Sequence, residues 1–323
     1  MKYEREVGRR IAYDAIKAAG ANDAIADALA DAVISAELAG SKAVGFAHLP
    51  DYLDGFANGR IAVNAEPEAS FPALAAVRVD ARGGIAQLAY DRVFGELVGR
   101  AKTYGVVTLG VSNGFTVGEL GYYTRRLAEA GLVALGTCNA TAQMTTLESG
   151  TAVFGTNPVS FAAPVANGRP FVIDQASSAT AFVSVRRAAE AGEAIPDGWA
   201  VDEQGRPTTD ARAAIHGLLL PFGGARGANI AMMMEILAAG VTGANWSMDA
   251  PHYAKGDDTP GVGLFLVALQ ADVFAPNFES RLAAQLERLA RAGVRIPGSH
   301  IKVHEVDVPD DVMNKVRSFG SGH

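Results

Sequence analysis

The sequence contains a single cysteine, Cys138, among its 323 residues. An internal disulfide is therefore excluded, which fits a protein of the reducing cytosol. The sequence lacks a lysine- or arginine-rich cluster, and its formal net charge of −7 argues against a nucleic-acid partner. Its longest apolar stretches, 228–241 and 263–270, are shorter than the roughly 20 residues that a bilayer requires. The charged N-terminus does not resemble a signal peptide, so we expect a cytoplasmic protein without a membrane partner.

Three common functional motifs are missing as well. No G-x-G-x-x-G follows a predicted strand, so an ordinary Rossmann dinucleotide site is not expected. No G-x-S-x-G nucleophile elbow supports a serine hydrolase. The six histidines are scattered without the spacing of metal ligands, and we predict no metal site.

The segments that are present indicate an α/β protein. Hydrophobic residues make up 49% of the chain and charged residues 20%, as in a folded globular protein. A strand-like run at 77–80 precedes a helical stretch at 86–105, and another apolar run follows at 106–112. This alternation continues along the chain and predicts layers of helices on a sheet.

Two segments place small and polar residues where elements begin or end. GGARG (223–227) opens a predicted buried helix, and the free N–H groups of a helix N-terminus attract phosphate, to which Arg226 would add charge. DQASS (174–178) follows a predicted strand, where α/β folds place ligand contacts. Each has a structural alternative: the glycines can pack a helix against the sheet, and DQASS can cap a helix over 179–191.

Several motifs occur in an order and spacing that resembles one known family. They are LPDYLDGFANGRI (49–61), FGTNP (154–158), DQASS (174–178), GRPTTD (205–210) and the PFGGARG run with its helix (221–239). The family is that of the type 2 malate/L-lactate dehydrogenases. It includes ureidoglycolate and sulfolactate dehydrogenases and the Δ1-piperideine-2-carboxylate and Δ1-pyrroline-2-carboxylate reductases. The resemblance covers nearly the whole chain.

The resemblance implies a homodimeric, NAD(P)-dependent oxidoreductase of α/β class with a fold other than the Rossmann fold. A central mixed sheet with flanking helices would form the cofactor domain, residues 73–274. A helical domain for substrate binding and dimerisation would come from both termini, residues 1–72 and 275–323. NAD(P)H is the implied cofactor, with NADPH slightly favoured. The matched positions near its nicotinamide, ribose or phosphates are Ser112, Asn139, Thr141, Asn157, Pro158, Asp174, Ser177, Ser178, Gly224, Arg226 and Gly227.

The sequence departs from the family where the substrate would bind. Val44 and Gly114 stand at the usual positions of two histidines, and His48 stands at the usual position of an arginine. A general acid typically contributes about 10²–10⁴-fold to the rate, so the loss of the two histidines would impair reduction of a 2-oxo acid. An iminium nitrogen already carries its proton, and a cyclic imine therefore tolerates the loss better.

The resemblance and these departures define the candidate site. His48 and Asp174 are the predicted catalytic residues, and Val44, Tyr52, Gly114 and Lys42 are predicted to bind the substrate, with Arg125 as a second candidate cation. The alternatives are a structural role for His48, solvated surface charges for Lys42 and Arg125, and packing for Tyr52.

Three hypotheses for the function stay open. The first is an NAD(P)H-dependent reductase acting at C2 of a small 2-imino or 2-oxo acid, with cyclic imines preferred. The second is a 2-hydroxy acid dehydrogenase of malate or lactate type whose acid has moved to His48. The third is a non-catalytic nucleotide-binding relative, because fold-level likeness sets only a prior on function.

Overall fold

The computed structural model describes residues 1–298 and 304–320. The helices are α1 (Arg5–Ala18), α2 (Asp23–Ala39), α3 (Leu49–Ala57), α4 (Ala86–Tyr104), α5 (Gly121–Glu129), α6 (Phe182–Ala191), α7 (Ala211–Ile215), α8 (Ala225–Glu235), α9 (Phe278–Arg291) and α10 (Asp310–Gly320). The strands are β1 (Lys2–Glu4), β2 (Glu68–Ala73), β3 (Ala76–Asp80), β4 (Val106–Gly114), β5 (Val133–Cys138), β6 (Val159–Ala163), β7 (Phe171–Gln175), β8 (Ala200–Val201), β9 (Pro207–Thr208), β10 (Leu218–Leu219), β11 (Val262–Leu269) and β12 (Glu305–Asp307).

Seven strands form the central sheet in the order β2-β3-β4-β11-β5-β6-β7. β3 and β4 pair in parallel, and the other described neighbours are antiparallel. The predicted mixed sheet with flanking helices is therefore confirmed, and its order differs from that of a doubly wound Rossmann sheet. Apolar side chains of β11 such as Leu264 and Leu266 are buried in one cluster with Tyr90 and Leu97 of α4.

The sequence predicts a helix over roughly 23–39 with its N-cap at Asn22 and its end at Gly40, and α2 has these bounds. The Asn22 side chain accepts a hydrogen bond from the Ile25 N–H at 2.9 Å and so caps α2. Gly40 ends this helix in the left-handed conformation that glycine adopts without a steric penalty. Buried side chains of α1, α2, α3 and α10 share a second core, and the β1–β12 pair joins the two ends of the chain. The division into two domains stays a prediction.

Two segments differ in detail from what their sequences predict, which is a turn-rich surface excursion at 195–210 and a buried helix at 223–243. The turn-rich stretch 195–210 contributes β8 and β9 to a small sheet with β10, because Ile195 and Ala200 are buried in a core of their own with residues of α6 and α7. The predicted helix at 223–243 is α-helical only as far as Glu235 and continues as a π-helical turn, Ile236–Val241. Such turns occur often beside functional sites.

Candidate active site

The ends of three strands meet at one edge of the central sheet. Gly114 at the end of β4 pairs with Val262, where β11 begins, and Cys138 at the end of β5 pairs with Leu264. Across β6, the same edge continues to β7, whose Gln175 pairs with Val159. Ser112, Asn139 and Asp174 are therefore brought to a common edge although they are distant in sequence. Polar groups at strand ends are the usual ligand contacts of α/β folds.

His48 lies just before α3 and faces this edge. Its Nδ1 is 2.8 Å from an Asp51 oxygen, and its Nε2 is 3.2 Å from Thr116 Oγ1 in the loop that follows β4. The ring also packs edge-on against Tyr52 and Tyr253, with centroids 5.0 and 5.3 Å away. Only 12% of the side chain is exposed. His48 is thus held by side chains on both nitrogens, as an acid-base residue or a buried structural histidine would be.

Tyr52 lies behind His48 in the core of the site. Its hydroxyl donates to the Thr116 carbonyl and accepts from the Gln87 amide, both at 3.1 Å. Burial raises the pKa of Tyr52 to about 12, so the phenol stays protonated at neutral pH. The Oε1 atom of Gln87 is buried without a partner, which leaves one acceptor unsatisfied beside the site.

Asp174 is accessible to solvent, although protein groups also surround its carboxyl group. The residue is exposed, and its Oδ2 accepts the Gly121 N–H at 2.7 Å. The pKa of Asp174 is raised to about 6. The larger cause is desolvation by the surrounding protein, and the second is repulsion from the nearby Glu119 carboxylate. Glu119 is itself buried and pairs with Arg125 at 2.5 Å. Asp174 can therefore change protonation close to neutral pH, as an acid-base group must.

The predicted polar residues on the cofactor side mainly hold the backbone. Asn139 bonds through both ends of its amide, to the Asn245 carbonyl and the Gly263 N–H. Asn157 donates to the Glu235 carboxylate at 2.7 Å, while its own Oδ1 is buried and unpartnered. The remaining contacts are Thr141 Oγ1 to the Pro251 carbonyl, Thr137 Oγ1 to the Pro158 carbonyl, Ser177 Oγ to the Asn157 carbonyl, and Ser178 Oγ to the Thr180 carbonyl. Ser112 is buried, and its carbonyl accepts the Ala81 N–H.

The start of α8 fits a phosphate-bearing group. A β-carbon on Gly224 would meet nothing within 4 Å, whereas one on Gly227 would lie 2.0 Å from the Phe222 carbonyl oxygen. The first turn thus approaches its own loop closely and keeps its N-terminal N–H groups open. Arg226 is exposed there, and no ion pair of this side chain is found among the described residues. A cavity of about 440 Å³, lined by residues including Trp199 and Gly224, lies alongside.

The other predicted substrate residues have different surroundings. Val44 is half-buried at the end of a short 3₁₀ turn. A β-carbon on Gly114 would make only ordinary contacts, the nearest being the Val262 carbonyl at 3.6 Å, so a larger residue has room for its first carbon. Lys42 is exposed and donates to the Asp307 carbonyl of β12 at 2.6 Å. Arg125 is engaged by Glu119. Neither cation is held beside His48 by a contact, and their substrate roles stay predictions.

Five residues of this region were not among the predicted site residues: Asp51, Gln87, Thr116, Glu119 and Tyr253. Asp51 had a local signal, since residues three apart on a helix are neighbours. The others reach the site through packing of distant segments.

Within residues 1–298 and 304–320, no group of three or more acidic, histidine or cysteine side chains has the arrangement of a metal site. No described helix has both the length and the apolar character needed to span a membrane.

Comparisons with known proteins agree with the fold. A sequence model described as malate/L-lactate dehydrogenase matches residues 4–306. The chain is 34% identical over 317 residues to (2R)-3-sulfolactate dehydrogenase (NADP(+)) of Chromohalobacter salexigens, covering 96% of this chain and 95% of the relative. It is 36% identical over 284 residues to the Delta(1)-pyrroline-2-carboxylate/Delta(1)-piperideine-2-carboxylate reductase of Pseudomonas putida, covering 86% and 83%.

Solved structures give the same result. The delta1-piperideine-2-carboxylate reductase of Pseudomonas syringae pvar. tomato superposes with a TM-score of 0.92 and 32% identity, covering 99% of both chains. Sulfolactate dehydrogenase of Methanocaldococcus jannaschii, at 23% identity and a TM-score of 0.88 over 99% of this chain and 96% of that one, shows the same fold. The predicted resemblance and the predicted fold class are both confirmed.

Proposed function

The chain belongs to the malate/L-lactate dehydrogenase family, and on that premise we propose that it is an NAD(P)H-dependent reductase of small cyclic 2-imino acids. The product would be the corresponding cyclic amino acid. The observation that carries this preference is the substrate side of the site. Val44 and Gly114 stand there in place of the two usual histidines, and the ring of His48 is held by contacts to Asp51 and Thr116. Relatives named as reductases of such imines support it.

The bound cofactor would supply the hydride, and the α8 start would hold its phosphates. The residues of this chain would bind the cofactor and hold the loops around it. The N–H groups around Gly224 and the charge of Arg226 would bind phosphate oxygens, and the neighbouring cavity has room for an attached ring. Asn139 and Asn157 would keep the adjoining loops in place through their backbone contacts. NADPH is favoured over NADH because one relative carries NADP(+) in its name.

His48 would donate a proton to the substrate, and Asp174 would orient the substrate through a hydrogen bond. An imine becomes reactive towards hydride once its nitrogen is protonated, and a 2-oxo acid needs a proton delivered to its oxygen as the new C–H bond forms. His48 Nε2, now 3.2 Å from the Thr116 hydroxyl, would donate that proton or hydrogen-bond the heteroatom. Asp174, with its raised pKa, would accept a hydrogen bond from the protonated substrate nitrogen.

A substrate panel tests the proposal directly. Protein is mixed with NADPH or NADH and with pyruvate, oxaloacetate, 2-oxoglutarate, Δ1-piperideine-2-carboxylate or Δ1-pyrroline-2-carboxylate, and cofactor absorbance is followed. We expect kcat/KM for the imines to exceed that for the 2-oxo acids by about 10²-fold, since an iminium needs no separate general acid. A reaction without protein corrects for spontaneous loss of cofactor. Fast turnover of pyruvate or oxaloacetate with inert imines would reject the preference. Cofactor binding without turnover of any compound would favour the non-catalytic hypothesis.

Replacing Arg226 tests the phosphate site separately from catalysis. Arg226→Ala removes one charge from the first turn of α8, where no acidic partner within the described residues neutralises it. We expect the Kd for NADPH to rise about tenfold, the value of one charge-assisted hydrogen bond. Calorimetry measures it, with Arg291→Ala on the exposed face of α9 as the matched loss of an arginine. Equal NADPH affinity in both variants would contradict this site.

We also propose that the protein is a cytoplasmic homodimer that associates through the outer face of α8 and of the π-helical turn that follows it. This face lies in the predicted cofactor domain, whereas the family resemblance assigned dimerisation to the helices of residues 1–72 and 275–323. Met232, Met233 and Ile236 follow helical spacing on this face and are each about half exposed, and apolar patches of this kind commonly mark interfaces. We expect Met233→Glu to shift the protein from dimer to monomer in sedimentation velocity. Leu74→Glu, at an exposed turn between β2 and β3, is the control that should stay dimeric. A monomeric wild-type protein would contradict the proposal.

A further inference from the structure

The geometry points to Asp51 as the positioning residue that fixes which nitrogen of His48 faces the substrate. The inference rests on the proposed function, because it assigns His48 a proton to give. Asp51 would accept the Nδ1–H of His48, so that Nε2 is the nitrogen that exchanges a proton with the substrate. The two residues would then act as one unit at the start of α3.

The contacts around the ring support this arrangement. The carboxylate of Asp51 lies 2.8 Å from Nδ1 and accepts only, so a short contact there requires the proton to sit on Nδ1. Thr116 Oγ1 lies 3.2 Å from Nε2 and can either donate to it or accept from it, because a hydroxyl rotates. The Asp51 contact therefore decides the tautomer, and the Thr116 contact suits both protonation states.

The position of Asp51 makes the contact stable. It is three residues beyond His48 on the first turn of α3, where the two side chains are neighbours. Tyr52 and Tyr253 pack on the ring and limit its rotation, so that it cannot turn to present Nδ1 instead. With 29% of its side chain exposed, Asp51 is partly shielded from water beside the ring.

The proton balance follows from these positions. In reduction, the bond between the proton and His48 Nε2 breaks, and a new bond forms between that proton and the substrate oxygen or nitrogen. The imidazolium becomes neutral imidazole with its remaining proton on Nδ1, facing Asp51. In the reverse reaction Nε2 takes the proton back. Asp51 itself neither gains nor loses a proton, and it holds the ring in one orientation throughout the exchange.

Other charged or titratable groups face the same ring from neighbouring segments. Tyr52 belongs to α3, and Tyr253 comes from the segment that precedes β11, where His252 stacks on it at a centroid distance of 4.8 Å. Partial burial and then Lys255 lower the pKa of His252, which makes it neutral at pH 7. Asp51 is thus the carboxylate that contacts His48 among the described residues.

The experiment reads the tautomer and the kinetics in the same variants. Long-range ¹H–¹⁵N spectra of the full-length protein without cofactor report which ring nitrogen carries the proton, and His48→Asn identifies the His48 signals. Asp51→Ala removes the acceptor, Asp51→Asn keeps an oxygen without the charge, and Asp54→Ala removes a carboxylate one turn further along α3. Spectra are recorded as a function of pH, so that the tautomer is determined on the neutral ring.

We expect wild type and Asp54→Ala to carry the proton on Nδ1, and Asp51→Ala to lose this preference. We also expect kcat for oxaloacetate to fall about 10- to 100-fold in Asp51→Ala, within the contribution of a general acid, with KM changed less than about threefold. The fall in kcat for Δ1-piperideine-2-carboxylate should be smaller. Asp51→Asn should lie between wild type and Asp51→Ala. If Asp51→Ala misfolds, Asp51→Asn supplies the same readouts. A wild-type proton on Nε2, or an unchanged kcat in the folded Asp51 variants, overturns the inference. Lack of turnover by wild type overturns the proposed function instead, and the spectra still decide the role of Asp51.

Discussion

Replacing Asp174 by asparagine is expected to lower kcat about 10²-fold, the size of effect typical for a residue that handles a proton. Asparagine preserves the shape of the side chain, and its oxygen can still accept the Gly121 N–H that Asp174 accepts at 2.7 Å. The variant therefore removes the charge and the titration while it keeps the loop contact. Steady-state kinetics with the best substrate of the panel measure the loss.

The same variant should gain stability at neutral pH. The pKa of Asp174 is raised to about 6 in the folded protein from its ordinary 3.8, so the native state binds the proton more tightly than the unfolded state. Stability then falls as pH rises between these two values, and the cost of the charged form is fully present above pH 6. The amide of the Asp174→Asn variant carries no charge and therefore no such cost. We expect this variant to have a higher Tm than wild type at about pH 7.5 and an equal Tm near pH 4, where the carboxyl is mostly protonated.

Asp311→Asn provides the matched control. Asp311 is an exposed acid in the first turn of α10, and its replacement should change neither kcat nor the pH dependence of Tm. Full activity of the Asp174 variant with every substrate would remove this residue from the proposed chemistry. A Tm below that of wild type at neutral pH would show that its charge stabilises the fold.

The second large effect is expected from His48→Asn. If His48 supplies the proton, this variant should lose about 10²–10⁴-fold in kcat for 2-oxo acids. For cyclic imines the loss should be smaller, because solvent protonates their nitrogen before hydride arrives. Comparing kcat for oxaloacetate and for Δ1-piperideine-2-carboxylate measures the difference. The hydroxy acid dehydrogenase hypothesis predicts, in addition, a pH–rate break in the histidine range that disappears in the variant.

His216→Asn is the control for the loss of a ring. His216 follows α7, outside the strand edge that gathers the site. An unchanged pH profile and an unchanged kcat in His48→Asn would eliminate the hydroxy acid dehydrogenase hypothesis. They would also leave His48 with the structural role that the sequence allowed as an alternative.

Local signals explain which parts of the fold were predictable. The cap at Asn22, the end of α2 at Gly40 and the order of strands and helices after residue 75 follow from residues close in sequence. The family resemblance added the sheet and the cofactor class. The π-helical turn after Glu235 was not predicted, because the buried carboxylate is fixed by Ser247 and Asn157 from other segments.

The candidate site was predictable only in part. His48, Tyr52 and Asp174 were named from motifs, and the structure gives His48 and Asp174 contacts that suit a site. Their neighbours Gln87, Glu119 and Tyr253 arrive from parts of the chain that no short-range pattern connects. The Lys42 contact to β12 was equally hidden, because it depends on how the two ends of the chain pair.

The position of β11 between β4 and β5 limits where insertions and deletions can occur in related proteins. The strand carries none of the proposed site side chains, yet its two neighbours β4 and β5 are both aligned by it. Deleting one residue would shift their ends by about 3.3 Å and turn the strand's alternating side chains over. We therefore expect relatives to conserve the number of residues in this strand, and to exchange only apolar residues of similar size at its buried positions such as Leu264 and Leu266. Gains and losses of chain length should be confined to surface loops.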